Sequence, residues 1–198
     1  MMTDLPPKPD AETGEPRPPR APTQFGESDN DRRTGTPPTP PVGQSPTLEY
    51  YRPSRKEATI STAVGVVFLL LIAVWNDGSI NALAEWYIWP WVLLWIGWYV
   101  YASRHRDIVR AGVDWVGGKK AWVRTYELTK IRYLSRGAGG SDLELTDSSG
   151  RTLLIKLNEM QSNHQLWNYV YLGMRHSAAD GAELNHTARV QFPEIKGD

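Results

Sequence analysis

The sequence predicts an α+β membrane protein in four consecutive parts: a disordered tail over residues 1–50, a two-helix transmembrane hairpin over 51–103, a small antiparallel β-domain with a closing helix over 104–179, and a polar tail over 180–198. Three observations carry this reading. Thirteen of the 15 prolines fall at or before Pro53. Two apolar segments, 58–75 and 82–102, flank the short polar link Asn76-Asp77-Gly78-Ser79-Ile80-Asn81. Beyond them, apolar residues recur with a period of two and then at helical spacing.

The tail mixes its prolines with Thr, Gly, Asp, Glu and Arg and holds almost no apolar residues. Such composition cannot bury enough surface to offset chain entropy, so it reads as disordered. The run Thr36-Pro-Pro-Thr-Pro-Pro41 favours local polyproline II and reads as a spacer first and a docking peptide second. Met1-Met-Thr-Asp-Leu-Pro-Pro7 lacks the basic and apolar pattern of a signal peptide, which leaves the first apolar segment as the expected anchor.

Each apolar segment is roughly the twenty residues that cross a hydrocarbon core as helix. Arg52, Arg55 and Lys56 precede the first, Arg104, His105, Arg106 and Arg110 follow the second, and the link carries Asp77 without Lys or Arg. By the positive-inside bias both termini are cytoplasmic, and the expected location is the cell inner membrane, multi-pass. Trp86, Tyr87, Trp89 and Trp91 at one end of the second segment, and Trp98, Tyr99 and Tyr101 at the other, occupy aromatic-belt positions; Trp95 falls mid-segment as a lipid or helix contact. Pro90 marks a kink or the start of regular helix. Glu85 lies about a turn from the outer end, where water reaches it, which argues against ion coupling.

After the hairpin, 108–116 and 119–124 read as strands around the Gly117-Gly118 turn, and 129–134 as a third, ending at Ser135-Arg-Gly-Ala-Gly-Gly140. Leu143 and Leu145, the turn Asp147-Ser-Ser-Gly150, and Leu153, Ile155 and Leu157 form the clearest antiparallel hairpin, with one buried face. Leu166, Tyr169, Val170 and Gly173 place an amphipathic helix over 162–176 against the sheet. In the terminal tail, 188–192 reads as a short strand.

Composition excludes several functions. Twenty-two Lys plus Arg balance 22 Asp plus Glu, so no overall basic field points to nucleic acid. There is no cysteine, hence no disulfide, thiol nucleophile or cysteine-ligated metal. The mean hydropathy of −0.46 averages a polar tail and domain with an apolar middle. His105, His164, His176 and His186 lack ligand spacing and read as surface histidines. Gly137-Ala-Gly-Gly140 and Gly117-Gly-Lys-Lys120 lack the rest of a phosphate-loop pattern, and no Ser/His/Asp set stands out. No cofactor and no catalytic residue is expected. Arg104, Arg106, Arg110, Lys119, Lys120, Lys130 and Arg132 are the candidate membrane-surface contacts, each basic group gaining about 1 kcal/mol beside anionic headgroups.

Gly112-Val-Asp-Trp-Val-Gly-Gly118, Trp122-Val-Arg-Thr-Tyr-Glu-Leu-Thr-Lys-Ile131, Asp142-Leu-Glu-Leu-Thr146 and Trp167 in the final helix follow the two apolar segments. In this order the chain resembles the bacterial pleckstrin-homology-like membrane proteins, including the YcxB-like group. The resemblance spans about 59–179 and implies a seven-stranded β-domain, of which about five strands are legible. It implies that Trp167 packs the closing helix, and that Lys119, Lys120, Lys130 and Arg132 lie loosely like a headgroup-gripping set. The expected function is a non-enzymatic integral membrane protein presenting a cytoplasmic pleckstrin-homology-like domain to protein partners or an anionic membrane surface. The alternative is a structural subunit of a secretion, conjugation or division assembly. Expected partners are the lipid bilayer, anionic headgroups, and membrane proteins or a second copy.

Overall fold

Strand β1 (Glu49–Tyr51) pairs antiparallel with β2 (Val109–Ala111), across the whole apolar middle of the sequence. The computed structural model describes residues 5–24, 36–52, 55–78, 88–104, 108–137 and 140–195, and forms two units, one of residues 53–107 and one of everything before and after them.

The smaller unit holds α1 (Arg55–Asp77) and α2 (Ile88–Arg104). Among the described residues, no helix is long and apolar enough to cross a membrane. α2 has 17 residues, about 25 Å of helix, and includes Ser103 and Arg104, while α1 opens on Arg55, Lys56 and Glu57 and ends at Asp77. The transmembrane hairpin is corrected on this ground, and with it the membrane fold class, the multi-pass inner-membrane location and the integral-membrane function. Residues 79–87 and 105–107, with Glu85, Trp86, Tyr87 and His105, lie outside the described residues. Pro90 stands in the first turn of α2, where its missing N–H costs no helical bond. Gly65 of α1 faces Trp95 of α2 so closely that a Cβ there would lie 2.6 Å from the indole nitrogen. Phe68, Leu71, Trp75, Trp91, Leu94 and Trp98 are exposed.

The larger unit has two sheets. The first is an antiparallel meander of β1, β2, β3 (Trp115–Gly117) and β4 (Trp122–Arg124). The second orders β7 (Thr152–Lys156), β6 (Ser141–Asp147) and β5 (Leu128–Ser135) antiparallel, with the short β8 (Glu183–Leu184) parallel to β5 at the edge. A single short helix, α3 (Leu157–Gln161), leads into α4 (His164–Ala179), and α5 (His186–Gln191) follows β8. Leu157 thus opens a helix, and 188–192 is mostly helix where a strand was expected. The alternation of β6 and β7 puts Leu143, Leu145, Leu153 and Ile155 into the core. Ile131, Trp167, Val170, Met174 and Phe192 complete it.

Two joints tie β1 to this core. Asn163 caps α4, accepting from the backbone N–H of Gln165 (3.0 Å) and Leu166 (3.1 Å). Its amide nitrogen donates to the Glu49 carboxylate (3.2 Å) and the Tyr50 carbonyl (3.1 Å). Segment 36–48 lies beside β2 and β3: the Trp115 indole donates to the Ser45 carbonyl (3.0 Å), Ser45 Oγ bonds Asp114 (2.6 Å), and Arg110 bonds the Thr39 carbonyl. The expectation of a disordered tail over 1–50 is therefore corrected for its described residues. Few of them are apolar, and what holds them is bonding to residues far along the chain, which composition does not reveal.

Candidate functional site

The described basic side chains do not form one patch. Lys130 and Arg132 share the outer face of β5, but Lys130 pairs with Glu183 of β8 (3.7 Å) and Arg132 with Glu144 of β6 (3.3 Å). Arg110 is committed to Thr39 and lies over the Trp115 ring, 5.9 Å from its centroid. Lys119 and Lys120 stand exposed on the β3–β4 turn, whose Gly118 adjoins Leu153 of β7. β6 stands between β7, which that turn adjoins, and β5. Arg104 ends α2 with its side chain undescribed, and Arg106 lies outside the described residues. Near Lys119 and Lys120 in sequence, the Arg151 guanidinium stacks on Trp122 at 3.6 Å, and its charge and hydrogen bonds hold buried Asp147.

A different site emerges on α4. Residues 6–24, hereafter the strap, run antiparallel along this helix, so that strap numbers rise as helix numbers fall. His176 Nε2 lies 2.9 Å from the Pro6 carbonyl. The Tyr169 hydroxyl donates to the Gly14 carbonyl (3.0 Å), and the Trp167 indole to the Pro22 carbonyl (2.9 Å). Asn168 Oδ1 accepts from the Ala21 N–H (2.9 Å), and Gln161, at the end of α3, accepts from the Gln24 N–H (3.1 Å). Lys8 sits 4.4 Å above the Tyr126 ring, which itself meets His176 at 5.3 Å.

Every hydrogen bond in this set joins a side chain of the helical layer to the backbone of the strap. That is the chemistry by which aromatic surfaces hold proline-rich chains: backbone carbonyls not engaged within the segment accept, and indole and phenol groups donate. Local structure fixes the strap's path. Asp10 accepts from the N–H groups of Glu12 (3.0 Å) and Thr13 (2.9 Å), closing a turn, and bonds from Thr13 foremost hold the Asp10 carboxyl below its ordinary range. Gly14 completes the turn at φ 72°, where a Cβ would strike the Tyr169 hydroxyl at 2.5 Å.

The strap leaves a cavity of about 60 Å³ against α4, lined by Pro19, Arg20, Asn168, Tyr171, Arg175 and Glu194 among others. Tyr171 donates to Glu194 (3.3 Å), and burial first, then that carboxylate, pushes the phenol's pKa well up. Tyr126 is likewise raised, chiefly by burial and then by Asp114. Ala21 is 5% exposed and belongs to the core.

The chain matches no family model, no curated protein and no solved structure.

By its spacing α4 reads as an amphipathic helix with His176 at the surface. The helix is instead buried toward the sheet and toward the strap, with Trp167, Tyr169, Tyr171 and Leu172 all buried alongside Leu166 and Val170. A helix apolar on nearly all sides needs cover on nearly all sides. That excess of aromatics over the one stripe a sheet requires was the available signal. Among the described residues, no group of three or more His, Asp or Glu is placed to hold a metal ion.

Proposed function

We propose that this chain is a non-enzymatic protein-interaction module on a pleckstrin-homology-like scaffold, and that its binding surface is the outer face of α4. The observation that carries the reading is the convergence of Gln161, Trp167, Asn168, Tyr169 and His176 on the backbone of one proline-rich segment. A surface needed only for burial would be covered by apolar contact. This one spends five polar side chains on the main chain of its cover, which is how peptide-recognition surfaces obtain affinity. The scaffold reading is supported by a four-stranded meander that shares one core with the three antiparallel strands β5, β6 and β7, and by Trp167 of α4 in that same core.

The test uses the full chain with the strap loosened by Ala21→Asp, which puts a charge into a buried position. Fluorescence anisotropy of a labelled peptide of residues 5–24 reads binding in trans, and amide exchange in α4 checks that the unit stays folded. Saturable binding to the variant, and binding at least tenfold weaker to the unaltered chain, is expected. A variant with protected α4 amides that binds no peptide refutes the reading.

A further inference from the structure

We infer that the strap is a stand-in for an arginine-bearing proline-rich segment of another protein, and that this segment and the strap compete for the same face of α4. The inference rests on the proposed function and adds the chemical class of its ligand.

The C-terminal part of the strap, Pro18-Pro-Arg-Ala-Pro22, meets Trp167, Asn168 and the cavity. Ala21 is buried while its own N–H donates to Asn168, so the ligand needs a small side chain there with a free amide. The next residue is Pro22, whose carbonyl takes the Trp167 indole. Proline at that point holds φ near −65° and lets the carbonyl project without a competing N–H of its own. The residue before Ala21 is Arg20, exposed at the mouth of a cavity that Tyr171 and Glu194 also line. A tyrosine and a carboxylate lining one cavity favour a planar cation over an anion. Arg175, from the helix side of the same cavity, sets the upper limit on positive charge and favours one arginine rather than a basic run. The required pattern is therefore proline, arginine, a small residue, proline, in an extended chain.

The chain supplies this pattern in cis, so an outside ligand must displace it, and the strap sets a threshold on ligand concentration. The hydrogen bonds at Ala21, Pro22 and Gln24 are side chain to backbone. A competitor with the same short pattern can take them one by one from the Ala21 and Pro22 positions without matching the rest of the strap.

The experiment titrates the full chain, unaltered and as Ala21→Asp, with a peptide carrying Pro-Pro-Arg-Ala-Pro inside an otherwise unrelated proline-rich context. Companion peptides have Arg→Glu or Ala→Leu at the matching positions. The parent peptide is expected to bind the variant and, in excess, to raise the exchange rates of the Ala21 and Gln24 amides of the unaltered chain. Each companion is expected to lose about tenfold, the scale of one charge-assisted hydrogen bond or one overfilled small pocket. Glu194→Arg in the chain is expected to restore binding of the Arg→Glu peptide. Binding of the 5–24 peptide without binding of the unrelated-context peptide overturns the inference and leaves the proposed function standing. Failure of both peptides overturns both. If Ala21→Asp does not fold, release of the Ala21 and Gln24 amides in the unaltered chain decides alone, and absence of release under peptide excess overturns the inference.

Discussion

Asn163 is fully buried and uses one amide for four hydrogen bonds, two that cap α4 and two that hold β1. Asn163→Ala removes all four. Losing the cap costs about 1 kcal/mol. Losing a donor to the Glu49 carboxylate costs about 1.5–3 kcal/mol and losing one to the Tyr50 carbonyl about 1. The four bonds share one side chain and do not simply add, so a loss of about 3 kcal/mol is expected. Native-state hydrogen exchange of α4 and β6 amides reads this unit without contribution from α1 and α2. A change of that size accelerates exchange through global opening roughly 150-fold. Asn163→Ser restores an acceptor for the cap and should recover about 1 kcal/mol. Asn163→Asp keeps the acceptor but sets a second carboxylate beside Glu49, which is 5% exposed, and should be no better than alanine. If alanine costs under 1 kcal/mol, or aspartate is neutral, the coupling of β1 to α4 through this residue is refuted.

Three further outcomes are expected. Gly173→Ala gains about 1 kcal/mol of helix propensity, but its Cβ would lie 2.5 Å from Thr125 Cβ and 2.9 Å from the Thr125 carbonyl, a backbone atom that cannot rotate away. Overpacking wins, and urea titration should show a net loss of about 1–2 kcal/mol. Burial opposes ionisation of Asp147, but the Arg151 side chain and the backbone N–H groups of Arg124 and Arg151 outweigh it, so its folded pKa lies below the ordinary 3.8. Its contribution to stability is therefore present above that value and lost as pH falls through the depressed one, and Asp147→Asn should flatten the stability profile on the acid side of 3.8. Asn168→Ala removes the acceptor for the Ala21 N–H and should speed exchange of that amide about fivefold to tenfold while leaving β6 amides unchanged.

What was legible in the sequence is what local chemistry dictates. Leu143 and Leu145 against Leu153 and Ile155 show their shared face by period alone, and the turn Asp147-Ser-Ser-Gly150 closes them with Gly150 at φ 78°. The helix was legible from Leu166, Val170 and Gly173, which meet the core or Thr125. β1 was not, because three residues among prolines carry no period and find their partner only at Val109–Ala111, far along the chain. The two-strand content of 108–116 and its neighbours was hidden for a related reason: Gly112 turns so tightly against Trp115 that β2 and β3 fit where one strand was read. The site was least legible. Lys130 and Arg132 look free in sequence and are neutralised by Glu144 and Glu183 across strands. The strap looks structureless because its partners lie more than a hundred residues away.

That separation gives the chain a history during synthesis. Ala21 and Asn168 are 147 residues apart, so at about 5–20 residues per second the strap waits on the order of ten seconds for its helix to be translated. β1 waits too, for β2 and then for Asn163, 114 residues beyond Glu49. Throughout that interval a solvated, proline-rich chain is open to any reader of its backbone, and its composition keeps it from collapsing on itself. The segment made early is thus placed late, as the clasp that shuts over a helix the ribosome has only just released.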